Sequence, residues 1–352
     1  MRQDQKDEHP LDQIHRLMNS YQGTALLAAA AELDIFTPII DEGIVVGVKY
    51  LAIRTGYDPR ALEVLLDGLT FLGFLEKIEV RTNEDITFGY RVAKDFAPYL
   101  DSRSPETMIP IMAHWGTCLR SWSQLAHAVR TGVPAPKIAG TFGHETDDRH
   151  FILGMDCIGI PLAKRIASDL AARQFGPYKK MLDLGGASGT YTLAFLRSEI
   201  VRSGIIFDRP AGINIARARL AALQDRNIAE RIETVTGNFY TDSFPKNCDL
   251  HWISAIIHQQ DIKATERMFT ESLRALTPGG TIAIRDIFPE KDRSQNAAAA
   301  LFSVNMLVNT DRGRVYTLEE VRTLLEKTGF EEVCLTLPAE DMSAVITARK
   351  PG

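Results

Sequence analysis

Two rhythms of apolar positions divide the chain. Over about residues 11–100 hydrophobic residues first recur at helical spacing and then shorten into mixed runs. Residues 26–33 are rich in strong helix formers with an apolar stripe, and Asp34-Ile35-Phe36-Thr37-Pro38 stops them. Two further helices are predicted over 48–55 and 59–72, the second with Pro59 at its first position behind an Asp58 cap. Residues 75–80 and 86–92 alternate as strands around Thr82-Asn83-Glu84-Asp85, a hairpin signal. Helices followed by a hairpin give a winged-helix outline. From 104 to 172 the pattern is mostly helical, broken by the loop at 131–136. This stretch is loaded with Met108, Met112, His114, Trp115, Trp122 and Met155, a pattern that packing alone more often explains as core.

After Lys180 strands and helices alternate. Strands are predicted at 181–184, 204–208, 232–236, 249–253 and 281–287, with helices at 191–196, 213–223 and 262–276 among them. Thr317 and Glu320 have capping-box spacing before a helix to Lys327, and 333–337 with 343–348 predict a closing hairpin. Such alternation predicts an α/β fold, a doubly wound Rossmann-like domain with an antiparallel strand at its end. The expected division is 1–103 for the helical N-terminal domain, 104–172 for connecting helices and 173–352 for the α/β domain.

Composition adds exclusions. The 352 residues, 45% hydrophobic and 24% charged with a net charge of -5, suit an ordinary folded protein rather than a nucleic-acid surface. Cys118, Cys157, Cys248 and Cys334 are scattered without a CxxC pair, and the carboxylates show no metal-ligand spacing, so no metal is expected. Met1-Arg2-Gln3-Asp4-Gln5-Lys6-Asp7-Glu8 is charged with no apolar segment behind it, against a signal peptide. No stretch reaches the apolar length of a membrane helix. The expectation is a cytoplasmic protein without membrane or nucleic-acid partners.

The chemistry concentrates in Asp183-Leu184-Gly185-Gly186-Ala187-Ser188-Gly189, which follows the first strand and opens a helix. Glycines there let a ligand approach the backbone at the switch point of the sheet. GGxxG is not a clean GxGxxG, but Asp208 ends the next strand, where an acid can hold ribose hydroxyls. No Gly-Lys-Ser/Thr follows, which argues against a phosphate-cradling loop. Arg217 and Arg219, on the helix after Asp208, read most simply as its solvated face, and His251 and His127 as structural histidines.

In chain order these features resemble the class I S-adenosylmethionine (SAM) dependent O-methyltransferases of the two-domain type, the group with plant phenolic and bacterial natural-product enzymes. The resemblance runs from the 26–36 helix and turn through 182–189, Phe207-Asp208-Arg209-Pro210, Gly237-Asn238-Phe239, Ile257-His258, Thr277-Pro278-Gly279-Gly280 and Arg285-Asp286 to Gly329-Phe330. It implies SAM as cofactor, with Asp183, Gly185, Gly186, Ser188 and Gly189 at the methionine end and Asp208 on the ribose. It also places Asn238 and Phe239 at the adenosine and Ser254 where some members carry a lysine. His258 is implied as general base, oriented by Asp286. A phenol (pKa about 10) is protonated at neutral pH and an imidazole (about 6.5) is free to accept its proton, which is the chemistry such a base performs. The family's second flanking acid would fall near Val315, and its usual Asp-Trp after the histidine is Gln259-Gln260 here.

A homodimer through the N-terminal winged helix is implied as well, with a small-molecule acceptor. The acceptor pocket is expected between the domains, lined by some of Met108, Met112, Trp115, Trp122, Met155, Phe302, Asn305 and Met306. Three rival readings stand beside methyl transfer to an aromatic or polyketide-like hydroxyl. They are a SAM-binding member that methylates nitrogen or carbon or does other chemistry, a winged-helix DNA-binding regulator, and a dinucleotide-dependent oxidoreductase.

Overall fold

The computed structural model describes residues 8–81 and 86–352. The expected turn at Thr82-Asn83-Glu84-Asp85 and the charged segment 1–7 lie outside the described residues. The chain forms two compact units: one runs to Arg120 and adds Lys137–Cys157, the other combines Ser121–Pro136 with Ile158–Gly352.

The first unit opens with helices α1 (Pro10–Asn19) and α2 (Tyr21–Glu32). The predicted stop after α2 is only a one-turn interruption. Asp34 turns left-handed (φ +46°), its carboxylate accepts the Thr37 hydroxyl at 2.6 Å, and the helix resumes as α3 (Phe36–Glu42). There follow β1 (Val46–Gly47), α4 (Val48–Thr55), α5 (Pro59–Phe71), β2 (Leu75–Arg81) and β3 (Ile86–Val92). Asp58 caps α5 by accepting the Ala61 amide at 2.8 Å, with Pro59 at the first position where its missing N–H costs nothing. Leu62, Leu66 and Leu69, spaced on one helical face, are buried. The strands form an antiparallel sheet in the order β1-β3-β2. Next come α6 (Ala97–Leu100), α7 (Ile109–Trp122), α8 (Leu125–Thr131) and α9 (His144–Ala172), the stretch expected to be helical and broken after Thr131.

The second unit carries β4 (Tyr178–Leu184), α10 (Thr190–Arg197), β5 (Val201–Asp208), α11 (Pro210–Ala222), α12 (Arg226–Ala229), β6 (Ile232–Thr236) and β7 (Cys248–Ser254). It continues with α13 (Ile262–Ala275), β8 (Leu276–Asp286), α14 (Ala297–Asn309), α15 (Leu318–Thr328), β9 (Glu331–Leu337) and β10 (Ala344–Arg349). The seven strands are ordered β6-β5-β4-β7-β8-β10-β9, parallel from β6 to β8 and antiparallel at β10 and β9. This is the α/β, doubly wound arrangement that the alternation predicts.

Alternation along each strand feeds two cores, because successive side chains point to opposite faces. Leu182, Leu184, Ile205, Phe207, Ile253, Ile282 and Ile284 pack with Met268 and Phe269 of α13 and Leu324 and Leu325 of α15. Met181, Ile206, Leu250, Trp252 and Ala283 face the other way, onto Ile166 and Leu170 of α9, Phe195 of α10 and Ile213 of α11. The capping box at α15 is present: Thr317 Oγ1 accepts the Glu320 amide at 3.2 Å and the Glu320 carboxylate accepts the Thr317 amide at 2.8 Å. Among the described residues no single helix is long and apolar enough to cross a membrane.

Candidate functional site

The strand order reverses between β4 and β7, which opens a crevice beyond the carboxyl ends of the parallel strands. Every candidate residue of the α/β core lies at that edge. The glycine loop leaves β4, Asp208 ends β5, Asn238 and Phe239 follow β6, Ser254 ends β7, His258 sits in the turn after it and Asp286 ends β8.

The glycine loop is built from left-handed backbone. Gly185 (φ +69°) has no room for a side chain: a Cβ there would lie 2.5 Å from Ile256 Cδ1 and 3.5 Å from the Phe239 ring. Gly189 (φ +78°) turns the chain into α10. Between them Ala187 (φ +44°) donates its amide to Asp208 Oδ2 at 2.7 Å, while Asp208 Oδ1 accepts the Arg209 amide at 2.6 Å. Burial pushes the Asp208 carboxyl above the usual carboxylate range, and the two backbone amides pull the other way.

Asp183 lies beneath the loop, 1% exposed, with Gly186 packed on its carboxyl group. Its Oδ2 accepts the Thr192 hydroxyl at 2.7 Å, and its Oδ1 is buried without a hydrogen-bond partner. Burial therefore raises its pKa to about 7. The buried Ser188 hydroxyl meets Thr190 Oγ1 at 3.1 Å. Arg219 is not the solvated residue expected from its helix position. Its guanidinium reaches back to Ser188 Oγ at 3.1 Å and Thr190 Oγ1 at 2.7 Å, because one charged donor group there serves both hydroxyls of the loop. Asn238 spends its side-chain oxygen on the Tyr240 amide at 3.0 Å, leaving the amide nitrogen as donor. Phe239 is buried, its ring 4.5 Å from that of Tyr240, and Ser254 is half-buried.

His258 and Asp286 meet. Nδ1 of the histidine lies 3.0 and 2.9 Å from the two carboxylate oxygens, and both residues are buried. Asp286 Oδ1 also accepts the Ile287 amide at 2.8 Å, which fixes the carboxylate. With Nδ1 committed as donor to the acid, Nε2 is the ring nitrogen left to accept a proton. Phe302 of α14 stands edge-on to the imidazole, centroids 4.8 Å apart at 90°. Val315, near which the resemblance implies a second acid, is buried in an apolar contact with Ile287 and Ala299. Gln259 accepts the Tyr240 hydroxyl and donates to the Ala255 carbonyl, both at 3.1 Å. The Gln260 amide nitrogen is buried without a partner.

The remaining candidates divide between the units. In the second, Asn305 Oδ1 accepts from Trp122 Nε1 and from Asn309 Nδ2, each at 2.9 Å, and Met306 is buried. In the first, Met112 and Trp115 line a hollow with Thr24 and Leu27, while Met108 and Met155 are half-buried. The core expectation for this Met and aromatic load is corrected: none of Met108, Met112, Trp115, Trp122 and Met155 is fully buried. Helix α14 itself went unread in the sequence, since Ala297-Ala298-Ala299-Ala300-Leu301-Phe302 is apolar on every side and shows no helical period. His251 is a structural histidine, fully buried with Nδ1 2.7 Å from Ser272 Oγ.

Comparison with known proteins decides the family. A family model for the O-methyltransferase domain matches residues 122–331. The tetracenomycin polyketide synthesis 8-O-methyl transferase TcmO of Streptomyces glaucescens is 30% identical and aligns over 96% of each chain. The chain belongs to the O-methyltransferase family. Acetylserotonin O-methyltransferase of Gallus gallus is 28% identical, over 91% of this chain and 92% of its own. Among solved structures, human N-acetylserotonin methyltransferase in complex with SAM superposes with a TM-score of 0.80 at 21% identity, over 99% of both chains. LaPhzM does so at 0.77 and 26% identity, over 98% of this chain and 100% of its own. This O-methyltransferase is thus an enzyme, with SAM as its cofactor.

Proposed function

We propose that this O-methyltransferase moves the methyl group of SAM to a hydroxyl of a small aromatic or polyketide-like acceptor, with His258 as general base. The observation that carries the reading is the buried His258–Asp286 pair at the carboxyl edge of the sheet.

The residues around the glycine loop fit the cofactor. Asp208 keeps lone pairs beyond its two amide bonds and would hold ribose hydroxyls. Gly185, Gly186, Ser188 and Gly189 would bring backbone to the methionine end, Phe239 would pack on the adenine, and Asn238 would donate its amide to it. Ser254, at the end of β7, would face the same ligand. Asp183 Oδ1 is a buried acceptor without a protein partner, suited to a positively charged group. When bound, SAM supplies an activated methyl on a cationic sulfur. His258 takes the acceptor's hydroxyl proton on Nε2, while the Nδ1 proton stays hydrogen-bonded to Asp286 and the growing positive charge is balanced by that carboxylate. Much of the remaining work is holding two reactants in line. Phe302, Asn305, Trp122 and Met306 of the α/β unit are proposed to shape the acceptor's surroundings.

The acceptor class is supported by relatives whose names specify polyketide and naphthoate hydroxyls, TcmO and the 3-hydroxy-5-methyl-1-naphthoate 3-O-methyltransferase of Streptomyces sahachiroi. A homodimer through a winged-helix N-terminal unit is supported by α1, whose Leu11, Ile14, Leu17 and Met18 are all more than half exposed on an apolar stripe. Light scattering checks that state.

Replacing His258 with Ala tests the mechanism. Turnover of a phenolic acceptor is expected to fall about 10²- to 10⁴-fold while the dissociation constant for SAM stays unchanged. Undiminished turnover would sink the assignment.

A further inference from the structure

We propose that Arg285 and Tyr191 form the seat for the carboxylate at the methionine end of the cofactor. Arg285 is the last residue but one of β8 and pairs with Ser254 of β7 in the sheet. Asp286 after it turns to His258, so Arg285 faces the opposite side of the sheet, where its guanidinium meets α10. It is 6% exposed. Of its nitrogens only Nη1 has a hydrogen-bond partner among the described residues, the Met342 carbonyl at 2.8 Å, and Nε is buried without one. No carboxylate among those residues lies within ion-pair distance of it. Asp341, which feels its charge, is exposed and reaches Arg165 at 3.7 Å instead.

The guanidinium lies 5.3 Å from the centre of the Tyr191 ring. The Tyr191 hydroxyl sits beside Ser254, buried, with no partner in hydrogen-bond geometry. The fully buried Trp252 ring, 5.2 Å from that of Tyr191, keeps the surroundings apolar. A buried cation loses hydration that only a partner restores, and its attraction to an anion is strongest where water is excluded. A guanidinium fork and a phenol hydroxyl are donors that suit a carboxylate.

The neighbouring residues indicate what carries that carboxylate. Thr192 holds Asp183 Oδ2, Asp183 Oδ1 is a buried acceptor without a partner, and the charge of this acid acts on Tyr191. Unmatched donors and an unmatched acceptor therefore border the first turn of α10, directly after the glycine loop. An α-amino-acid group bears both complements on one carbon, a carboxylate and an ammonium. SAM has such a group at its methionine end, and the assignment rests on the reading that the loop holds SAM.

Calorimetry of SAM and of decarboxylated SAM on the whole protein, without acceptor, tests it. Wild type is expected to bind SAM about tenfold or more tightly than the analogue. Arg285→Met should bring the two within about twofold by weakening SAM alone, while Arg285→Lys keeps most of the preference. Tyr191→Phe, which removes one donor, should reduce the preference about two- to fivefold. The wild-type comparison stands even where a variant fails to fold. Equal affinities in wild type, or a preference untouched in folded Arg285→Met, overturn the seat and leave the cofactor reading standing. SAM and its analogue bound alike, with a hydroxynaphthoate preferred over its methyl ester by wild type and not by Arg285→Met, would give the carboxylate to the acceptor and overturn its assignment to the cofactor. Wild type that binds neither SAM nor the analogue overturns the seat and the cofactor reading together.

Discussion

The two ends of the crevice in the α/β unit are made from different materials. Around β4 and β5 main-chain groups shape the site: left-handed glycines and the Ala187 and Arg209 amides, set around the Asp208 carboxylate and the Asp183 carboxyl group buried under Gly186. Around β7, β8 and α14 the shaping groups are side chains: His258 on Asp286, Phe302 edge-on to the imidazole, Asn305 held by Trp122 and Asn309. Backbone geometry tolerates few substitutions, because each one must satisfy a φ angle and a clash at once. A wall of side chains can be changed one residue at a time. Val315, where the family resemblance implies an acid, packs with Ile287 and Ala299 and leaves the His258–Asp286 pair in place.

The comparison breaks most visibly at Asp286. In Asp286→Asn, Oδ1 keeps the Ile287 amide and an NH₂ group replaces the oxygen 2.9 Å from His258 Nδ1, so the imidazole proton moves to Nε2 and the base is lost. Turnover is expected to fall about 10²- to 10⁴-fold with SAM affinity intact; a parallel loss of SAM binding would show that the two ends are not separable.

The next effect belongs to Asp183. Unfolded, its carboxyl ionises near the usual 3.8; folded, it keeps its proton up to about 7 because it is buried. The unfolded chain therefore binds fewer protons in that window, so stability falls as pH rises from about 4 to about 7 and levels off above. The gap is worth at most about 4 kcal/mol. Asp183→Asn should flatten this slope in denaturant titrations of the ligand-free protein, and a slope identical to wild type would remove the residue from the account.

Gly185→Ala places a methyl group 2.5 Å from Ile256 at a positive φ, a strain of about 1–3 kcal/mol. Weaker SAM binding by about tenfold or more is expected, read by fluorescence titration, against little change in acceptor affinity. Smallest is Trp122→Phe. It removes one hydrogen bond to Asn305, worth about 1 kcal/mol, so KM for the acceptor should rise about fivefold with kcat nearly constant. A kcat loss instead would tie Trp122 to the chemistry.

What the sequence made legible follows the same division. The glycine loop, Asp208 and the strand rhythm are local patterns, each confined to one turn or one strand, and they lie where the alternation predicts. His258 meets Asp286 across 28 positions and was legible only through family resemblance. Arg219 was misread because its partners lie 29 and 31 residues away, where no local period points. Helix α14 hid behind uniform apolarity, and α3 behind a proline at its start. Burial of the methionines and tryptophans depends on which neighbours arrive, which residue type alone does not encode.

Strand β10 has a consequence in time. It slots between β8 and β9, and its Ala344 pairs with Asp286. A chain emerging from the ribosome can complete β4, β5 and the glycine loop while the outer edge of β8 still lacks its neighbour. Closing that edge draws back chain from about sixty residues downstream, a loop whose entropic cost is met late. Nascent chains stopped before β10 should already hold an ordered glycine loop while the histidine still lacks a fixed acid, so the capacity to bind matures during synthesis ahead of the capacity to react.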